Sequence, residues 1–285
     1  MPKTPTVYFN GRYLPKDEVR LSPDDRGFVL GDGVYEVIRT YDGQLFALEG
    51  HLERLRRGLR ELAIEGVDVD GLGDVCRELL QRNGLGGGDA SLYLQVTRGA
   101  APRTHFFPDP PVPATVFVQG GRFSLKGDPA KGIHAITVPD IRWARCDIKT
   151  VQLLANCLAN QRARSAGAQE ALFVRDSAVL EGSYSSLFFV LEGEVRTAPK
   201  NNYILPSITR DIVLDLCRTS GVPARESPVF THELPRATES FVAGTTVEVM
   251  PIARIDGVAV GDGVPGPVTR KLQKLFRDRT AGSRA

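Results

Sequence analysis

The amino-acid sequence predicts an α+β fold of two domains with mixed sheets. The chain has 285 residues, 42% of them hydrophobic and 25% charged, which is enough to bury a core in one large domain or two smaller ones. In both halves, short strand-like segments occur together with amphipathic helical segments. Between the halves, residues 120–131 lack periodicity and contain three glycines and a proline. We therefore predict an N-terminal small α/β domain over 1–119, a linker over 120–131, and a larger C-terminal α+β domain over 132–285.

The first half is predicted to contain strands followed by two helices. Asn10-Gly11 lies between strand-like segments over 6–9 and 12–14, and this dipeptide is a strong hairpin signal. Asp42-Gly43 is predicted to turn a strand over 34–41 into a second strand over 45–48. Four leucines form one apolar stripe of a predicted helix, Leu52, Leu55, Leu59 and Leu62. The other predicted elements are a helix over 72–83 and strands over 91–97 and 114–119.

The second half is predicted to alternate between strands and helices. Lys149 is expected to open a helix that ends near Gly167. Its predicted apolar stripe consists of Val151, Leu154, Ala155 and Leu158. A second helix over 208–220 is expected to stop at Gly221. The remaining predictions are strands over 132–138, 171–174, 178–180, 186–191, 240–243 and 247–250, and a helix over 267–277.

Composition excludes several classes of partner. The net charge is +2, from 36 basic and 34 acidic residues, so we expect no general attraction to nucleic acid or to a membrane surface. No segment approaches the roughly 20 apolar residues of a membrane helix, and no signal peptide is apparent. The four cysteines form no CxxC pair and no Cys/His cluster with zinc spacing, so no metal site is predicted. These features predict a cytoplasmic protein with reduced thiols.

Two residues have contexts that suit covalent chemistry on a cofactor. Lys149, one of only eight lysines, follows a polar segment that contains the single tryptophan, Trp143, and precedes an apolar one. A Schiff-base lysine needs such a fixed and partly desolvated position, although a surface lysine at a helix start fits the same context. Glu181 lies at a strand end, where a carboxylate could pair with a pyridinium nitrogen or simply lie in water.

Three further segments offer groups that bind anions. Ser207-Ile208-Thr209 opens a helix and Gly244-Thr245-Thr246 follows a strand, so each could present backbone N–H groups to a phosphate. Serine and threonine also cap helices without any ligand. Arg103 and His105 are two residues apart in a Pro-rich loop over 99–113, where they could bind a carboxylate together or lie in water.

Several segments, in order along almost the whole chain, resemble the D-amino-acid transaminases. That group belongs to the fold-type IV pyridoxal-phosphate enzymes, together with branched-chain aminotransferases and aminodeoxychorismate lyases. The most specific matches are Arg145-Cys146-Asp147-Ile148-Lys149 and Arg103-Thr104-His105. The other matching segments are 25–27, 31–37, 95–99, 140–143, 181–183, 201–202, 204–205, 208–211 and 270–274.

The resemblance implies a pyridoxal 5′-phosphate enzyme whose cofactor lysine, Lys149, lies in the predicted C-terminal domain. Lys149 would form a Schiff base with the cofactor and later carry the proton between the substrate α-carbon and the cofactor. Glu181 would keep the pyridine nitrogen protonated, and Leu205 would pack against the ring. The residues that would bind the phosphate are Arg54, Ile208, Thr209, Gly244 and Thr245.

The resemblance also implies how the substrate binds. Tyr35, Arg103 and His105 would bind the substrate carboxylate, with the Arg103 loop coming from a partner subunit. This implies a homodimer with shared active sites. Two segments depart from the family pattern. Tyr184 and Ser186 replace a small residue and an asparagine in the segment after Glu181, and Gly244 replaces a serine near the second phosphate segment.

The predicted function is transfer of the amino group between D-amino acids, such as D-alanine, and 2-oxo acids, such as 2-oxoglutarate. An L-branched-chain aminotransferase has the same cofactor and the opposite stereochemistry. A lyase of the aminodeoxychorismate type would release pyruvate without an amino acceptor. A non-catalytic binding protein would lack Lys149 or Glu181, and both are present.

Overall fold

The computed structural model describes residues 4–282, whose strands and helices fall into two units. Of the described residues, unit 1 contains 4–124 and Ile148–Gln152, and unit 2 contains Leu125–Asp147 and Leu153–Gly282. The α+β class with mixed sheets is confirmed. The predicted domain bounds stay a prediction. The search of the described residues for a helix long and apolar enough to cross a membrane found none.

Unit 1 contains a six-stranded antiparallel sheet in the order β2-β1-β6-β5-β3-β4. Its helices bury apolar side chains, such as Leu52, Leu55 and Leu59 of α2 and Leu79 of α3, in a common core with the strands. The strands are β1 (Thr6–Phe9), β2 (Arg12–Pro15), β3 (Gly33–Tyr41), β4 (Gln44–Leu45), β5 (Ala90–Thr97) and β6 (Thr115–Arg122). The helices are α1 (Arg26–Leu30), α2 (Leu48–Glu61) and α3 (Gly71–Arg82).

Unit 2 contains a ten-stranded mixed sheet, with the path β12-β11-β10-β14-β15-β7-β8-β9-β13 and β16 beside β15. β9 also pairs with β10, so six strands from β10 round to β9 close into a ring. The strands are β7 (Ile133–Pro139), β8 (Glu170–Arg175), β9 (Ala178–Gly182), β10 (Ser186–Leu191), β11 (Glu194–Thr197), β12 (Ala224–Glu226), β13 (Val229–Phe230), β14 (Glu239–Gly244), β15 (Glu248–Ile255) and β16 (Val258–Ala259). The helices are α4 (Leu154–Ser165), α5 (Ile208–Ser220) and α6 (Pro267–Gly282), and two short 3-10 helices span Lys16–Glu18 and Thr231–Arg236.

The structure corrects the prediction that Lys149 opens a helix. Residues 148–152 form no helix and bridge to β3: the N–H of Tyr35 donates to the carbonyl of Lys149 at 3.0 Å, and the N–H of Val151 donates to the carbonyl of Gly33 at 3.0 Å. These bonds to the sheet replace helical ones, and α4 begins at Leu154. The predicted stripe is not buried either, since Leu154 is 74% and Leu158 51% exposed.

Other predicted elements differ mainly in their ends. The strand predicted over 45–48 is wrong beyond Leu45, because α2 begins at Leu48. The strand predicted to end at Gln119 continues through Gly120 and Gly121, which pair with Leu92 and Ser91 of β5. The helix predicted over 208–220 is confirmed with the same bounds.

Candidate active site

Lys149 lies beside β3 in unit 1. Backbone hydrogen bonding to Tyr35 fixes the lysine main chain, and its Nζ lies 4.2 Å from the centroid of the Tyr35 ring. Tyr35 in turn stacks on Tyr93, with ring centroids 5.7 Å apart. A half-buried amine over an aromatic ring has the fixed position and partial desolvation that a Schiff-base lysine requires.

Arg54 lies in a buried ionic cluster of the same unit. Its Nε and Nη2 donate to the two carboxylate oxygens of Glu36 at 2.7 and 2.8 Å, and Nδ1 of His51 lies 2.8 Å from Glu36 Oε2. Burial alone would raise the pKa of Glu36, but the charge and hydrogen bonds of Arg54, with those of His51, lower that pKa to about 2. Burial also lowers the pKa of His51, although Glu36 opposes this, so a neutral imidazole is favoured. The cluster therefore fixes the Arg54 guanidinium on a carboxylate that stays ionised.

Glu181 lies where β9 and β10 pair and close the ring of strands in unit 2, and its backbone partner there is Ser186 of β10. Its side chain is buried, and Nη1 of Arg142 donates to Oε1. The N–H of Leu205 donates to Oε2 at 3.1 Å. Burial raises the pKa of Glu181, and the nearby Arg142 opposes that rise. A second cation placed at Glu181 would therefore favour the ionised carboxylate.

Arg142 is itself held by Asp140 and by an aromatic ring. Its Nε and Nη2 donate to the two oxygens of Asp140 at 2.9 and 3.0 Å, and its guanidinium lies 4.1 Å from the centroid of Phe173. Arg175 also pairs with Asp140, at 3.1 Å. Although burial opposes it, Arg142 holds the pKa of Asp140 below its ordinary value. This network gives the carboxylate of Glu181 a fixed orientation.

Two backbone segments in unit 2 present N–H groups. Ser207 caps α5, and its Oγ accepts from the N–H of Arg210 at 3.2 Å, which leaves Ile208 and Thr209 as the first two residues of the helix. Gly244 ends β14 and begins the turn to β15, where its carbonyl accepts from Val247 at 3.2 Å. Because Ser186 pairs with Ala243, the end of β14 lies next to the strands that carry Glu181. Thr245 follows in that turn and is half-buried.

Arg103 and His105 lie exposed in the loop between β5 and β6. Tyr35 contacts Lys149 in unit 1, where Arg54 also lies, and Glu181 contacts Leu205 in unit 2. Arg103 and His105 belong to unit 1 as well, and among the described residues they form no hydrogen bond or ion pair with another predicted site residue.

The residue that departs most from the family pattern, Tyr184, follows Glu181 by three positions. Its ring is 48% exposed, and its hydroxyl donates to the carbonyl of Gln169 at 3.2 Å. Burial of the hydroxyl, with a smaller effect of Glu170, raises the pKa of Tyr184 to about 12. The main chain of Tyr184 faces Gly244, since a Cβ added to Gly244 would lie 3.6 Å from the Tyr184 carbonyl oxygen.

Sequence reasoning assigned no role to Glu36, His51, Asp140 or Arg142. A signal exists for two of them. Glu36 is an acidic residue between Val34 and the apolar pair Val37 and Ile38, where an unpaired carboxylate would be costly. His51 precedes Arg54 by three positions, so the two lie on one face of α2. Nothing in the spacing of Asp140 and Arg142 indicates that they meet Glu181.

The residues present fit pyridoxal phosphate. A half-buried lysine amine suits the aldehyde, and a buried carboxylate with a fixed orientation suits a protonated pyridine nitrogen. The N-terminus of α5, with its side-chain cap, suits a phosphate. Each requirement of the cofactor that the resemblance implies is therefore met by a described group.

Known aminotransferases are similar to this chain over most of its length. The family model "Amino-transferase class IV" matches residues 33–255. A D-alanine aminotransferase of Staphylococcus haemolyticus is 42% identical over 272 residues, which cover 95% of this chain and 96% of that protein. A D-alanine aminotransferase of Bacillus licheniformis is 40% identical over 273 residues, with the same shares of the two chains.

Solved structures with a similar fold include two branched-chain amino acid aminotransferases. The enzyme of Escherichia coli superposes with a TM-score of 0.89 at 25% identity, over 99% of this chain and 96% of that one. The PLP form of the enzyme from Thermobaculum terrenum superposes with a TM-score of 0.88 at 26% identity, over 99% and 95% of the two chains.

Proposed function

The chain belongs to the class IV aminotransferases, which use pyridoxal phosphate, and from this premise we propose that it transfers amino groups between D-amino acids and 2-oxo acids. The observation that carries the D-specific assignment is 42% identity to a D-alanine aminotransferase over 95% of the chain. The branched-chain enzymes with similar structures are only 25% and 26% identical. We therefore take D-alanine as an amino donor and 2-oxoglutarate as an acceptor.

Lys149 is the proposed catalytic residue. Bound pyridoxal phosphate supplies an electron sink for the carbanion that forms at the substrate α-carbon. Lys149 would hold the cofactor and, as a free amine, would carry the proton between that carbon and the cofactor. Its half-buried side chain, with Nζ 4.2 Å from the centroid of the Tyr35 ring, supports this role.

Glu181 is proposed to bind the pyridine nitrogen through a carboxylate that stays ionised. Because Arg142 donates to Oε1, Oε2 is the oxygen we assign to the nitrogen. Leu205, whose N–H bonds to Oε2, is proposed to pack against the ring with its side chain. Arg142 and Asp140 keep the carboxylate in place, so a proton on the pyridine nitrogen is favoured.

The cofactor phosphate is proposed to bind cations and N–H donors. Arg54 carries a permanent charge and is oriented by Glu36. Ile208 and Thr209 contribute the N–H groups at the positive end of α5. Gly244 and Thr245 add backbone N–H groups from the turn after β14.

Tyr35, Arg103 and His105 are proposed to bind the substrate carboxylate. A guanidinium forms two parallel hydrogen bonds to a carboxylate, which orients the amino acid as well as binding it. We place Arg103 and His105 in the active site of a partner subunit. This arrangement requires a homodimer with shared sites.

Exposed apolar side chains support the homodimer. Phe28 and Phe106 of unit 1 are 72% and 82% exposed, and Leu154 of unit 2 is 74% exposed. Covering such large exposed apolar side chains by another chain would remove their apolar surface from water. The four cysteines are free thiols, which supports a reducing compartment, and we propose the cytoplasm.

A half-reaction with single amino acids tests the proposed specificity. The purified holoenzyme is mixed with D-alanine or with L-leucine in separate cuvettes, and the visible absorbance of the bound cofactor is followed. D-Alanine is expected to remove the yellow colour while L-leucine leaves it unchanged. Loss of colour with L-leucine alone would favour a branched-chain aminotransferase and contradict the role of Arg103 and His105. Retention of the colour with both amino acids would contradict the proposed transamination of D-alanine.

The variant Lys149→Ala tests the cofactor lysine. It is expected to abolish transamination and the absorbance of the lysine-bound cofactor, because no other residue would form that bond. Lys200→Ala is the matched control, since Lys200 is an exposed lysine paired with Asp211. A Lys149→Ala protein that kept both colour and turnover would rule out the assignment.

A further inference from the structure

We propose that Arg26, Asp32 and Arg98 form a clamp that positions the loop over residues 99–113, and that this clamp sets the affinity for the substrate. The inference rests on the proposed role of Arg103 and His105 in binding the substrate carboxylate. The three residues, here called the Asp32 clamp, form no hydrogen bond with Lys149 in the described structure. They act as positioning residues.

The centre of the clamp is one buried carboxylate shared by two arginines. Nε of Arg26 donates to Asp32 Oδ2 at 2.8 Å. Arg98 binds the same carboxylate through Nε to Oδ2 at 2.7 Å and through Nη2 to Oδ1 at 3.1 Å. The three side chains are only 3%, 11% and 7% exposed, in chain order. Two guanidiniums this close together and this buried need the carboxylate between them.

The clamp is anchored to the body of unit 1. Nη1 of Arg98 donates to the carbonyl of Ala63 at 2.8 Å, and Nη2 donates to the carbonyl of Leu62, just after α2. The main chains of its members also bond, since the N–H of Arg98 donates to the Asp32 carbonyl at 3.1 Å and the N–H of Asp32 to the Arg26 carbonyl at 3.2 Å. These bonds leave the two guanidiniums little freedom to move.

Both guanidiniums also contact the loop over residues 99–113. Nη1 of Arg26 donates to the carbonyl of Thr104 at 2.9 Å. The guanidinium carbon of Arg98 lies 3.6 Å from the centroid of the Phe107 ring. Thr104 is the residue between Arg103 and His105, so a fixed Thr104 carbonyl fixes the main chain from which both side chains project.

Main-chain contacts, which do not involve the side chains of the clamp, hold the base of the loop. The N–H of Arg26 donates to the Gly99 carbonyl at 2.9 Å, and a Cβ on Gly99 would lie 2.1 Å from the Pro113 carbonyl oxygen. Beyond this base, Arg103, His105 and Phe106 are exposed, and two further hydrogen bonds of Thr104 are internal to the loop. The clamp is therefore what joins the tip of the loop to unit 1.

The substitution Asp32→Asn tests the clamp while preserving its shape. The amide lacks the charge that holds two guanidiniums together, so the loop should lose both attachments. We expect KM for D-alanine to rise about 10- to 100-fold, as for other small misplacements of binding groups, while kcat and the Kd for pyridoxal phosphate stay within twofold of wild type. Asp89→Asn is the matched control, because Asp89 pairs with Arg39 at the other end of β5.

Tryptic cleavage of the holoenzyme provides a readout that does not depend on activity. The Arg103–Thr104 peptide bond is an exposed site for trypsin. The next carbonyl along the chain, that of Thr104, accepts the hydrogen bond from Arg26. Loss of the clamp should speed cleavage at this bond several-fold, measured by mass spectrometry, because local opening exposes the chain to the protease. Asp89→Asn should be cut at the wild-type rate. If Asp32→Asn fails to fold, Arg26→Lys is the second variant. It keeps the positive charge but removes the forked guanidinium that binds both Asp32 and Thr104.

The outcomes separate this inference from the proposed function. If Arg103→Ala leaves KM unchanged, the substrate role of the loop is wrong, whereas faster tryptic cleavage of Asp32→Asn would still support the clamp. If Arg103→Ala raises KM, adding Asp32→Asn to a variant with both Arg103→Ala and His105→Ala should raise KM no further, because the clamp acts through these two side chains. An Asp32→Asn enzyme with wild-type KM and wild-type cleavage, changed only in melting temperature, would overturn the inference.

Discussion

At the scale of single residues, the candidate site depends on buried charges that are neutralised by fixed neighbours. Glu36 is fully buried and binds Arg54 through both oxygens, while Glu181 binds Arg142 and the N–H of Leu205. Burying one such charge without a partner would cost several kcal/mol, so each pair must form as a unit. These contacts thereby fix the orientation of the Arg54 guanidinium and of the Glu181 carboxylate.

Glu36 should make the stability of unit 1 depend on acid pH. Its pKa is about 2 in the folded protein, against an ordinary value of 4.5. A lowered pKa means that the folded state favours the carboxylate, so its contribution is complete above about pH 4.5 and is lost as the pH falls toward 2. The full contribution is about 3 kcal/mol. We expect Glu36→Gln to lower the unfolding free energy at pH 7 and to flatten its decline between pH 4.5 and 2.

Urea denaturation of the apoprotein at several pH values, followed by circular dichroism, measures this contribution. Glu49→Gln is the control, because Glu49 lies on the same helix as Arg54 with its side chain 79% exposed. A Glu36→Gln protein with the same acid dependence as wild type would show that Glu36 is not the titrating group.

The candidate site residues were predicted from the sequence through the family resemblance, and their supporting partners were not predicted. The local contexts of Lys149 and Glu181 alone also fit a surface lysine and a solvated glutamate. Arg142 meets Glu181 across 39 positions of chain. Such contacts depend on strand pairing over long separations, which local patterns do not encode.

At the scale of elements, the turn between β14 and β15 has space for a side chain at Gly244. A Cβ at Gly244 would meet Val247 at 3.4 Å and the Tyr184 carbonyl oxygen at 3.6 Å, which are ordinary contacts. Gly244 also has no positive φ. The glycine is therefore not required by packing or by backbone conformation.

We expect Gly244→Ser to strengthen cofactor binding, because it adds a hydroxyl donor beside the proposed phosphate site. One hydrogen bond to a charged group contributes about 1.5–3 kcal/mol, so the Kd for pyridoxal phosphate should fall about tenfold or more. Titration of the apoenzyme by absorbance measures this Kd. Thr245→Val removes a hydroxyl from the same turn and should raise it. Unchanged affinity in both variants would place the phosphate elsewhere.

Elements with strong local signals were predicted well, and those defined by tertiary contacts were not. α5 has a serine cap, a regular apolar face and a terminal glycine, and its bounds match the prediction. The segment after Lys149 has helical periodicity, yet residues 148–152 bond to β3 and delay the helix to Leu154. The apolar face of α4 gave a second wrong expectation, because periodicity alone does not tell whether an apolar face is buried in the core of its own chain.

At the scale of the whole molecule, the mixed sheet of unit 2 shows the limit of sequence reasoning most clearly. Its strands were largely predicted, but the pairing of Glu181 with Ser186 that closes the ring was not. Closure brings β9 beside β10, and β10 in turn pairs with β14. The order of strands therefore brings Glu181 near the turn at Gly244, although 63 positions of chain separate them.

The shared active site of the proposed homodimer makes a prediction about mixed dimers. Lys149→Ala and Arg103→Ala each damage a different part of the site. If Arg103 acts on the partner subunit, a heterodimer of the two variants contains one site with both lysine and arginine intact, and one site with neither. The two chains are co-expressed with different affinity tags, and the heterodimer is purified on both tags in turn.

That heterodimer should transaminate D-alanine at about half the wild-type rate per dimer, well above either variant homodimer, because one of its two sites is complete. If Arg103 instead served its own subunit, every site in the heterodimer would lack one residue, and activity would not exceed the mean of the two homodimers. The matched heterodimer of Lys149→Ala with wild type, which keeps one lysine, calibrates the rate of a single complete site. A heterodimer no more active than that mean would therefore place Arg103 in the site of its own subunit and contradict the shared active site.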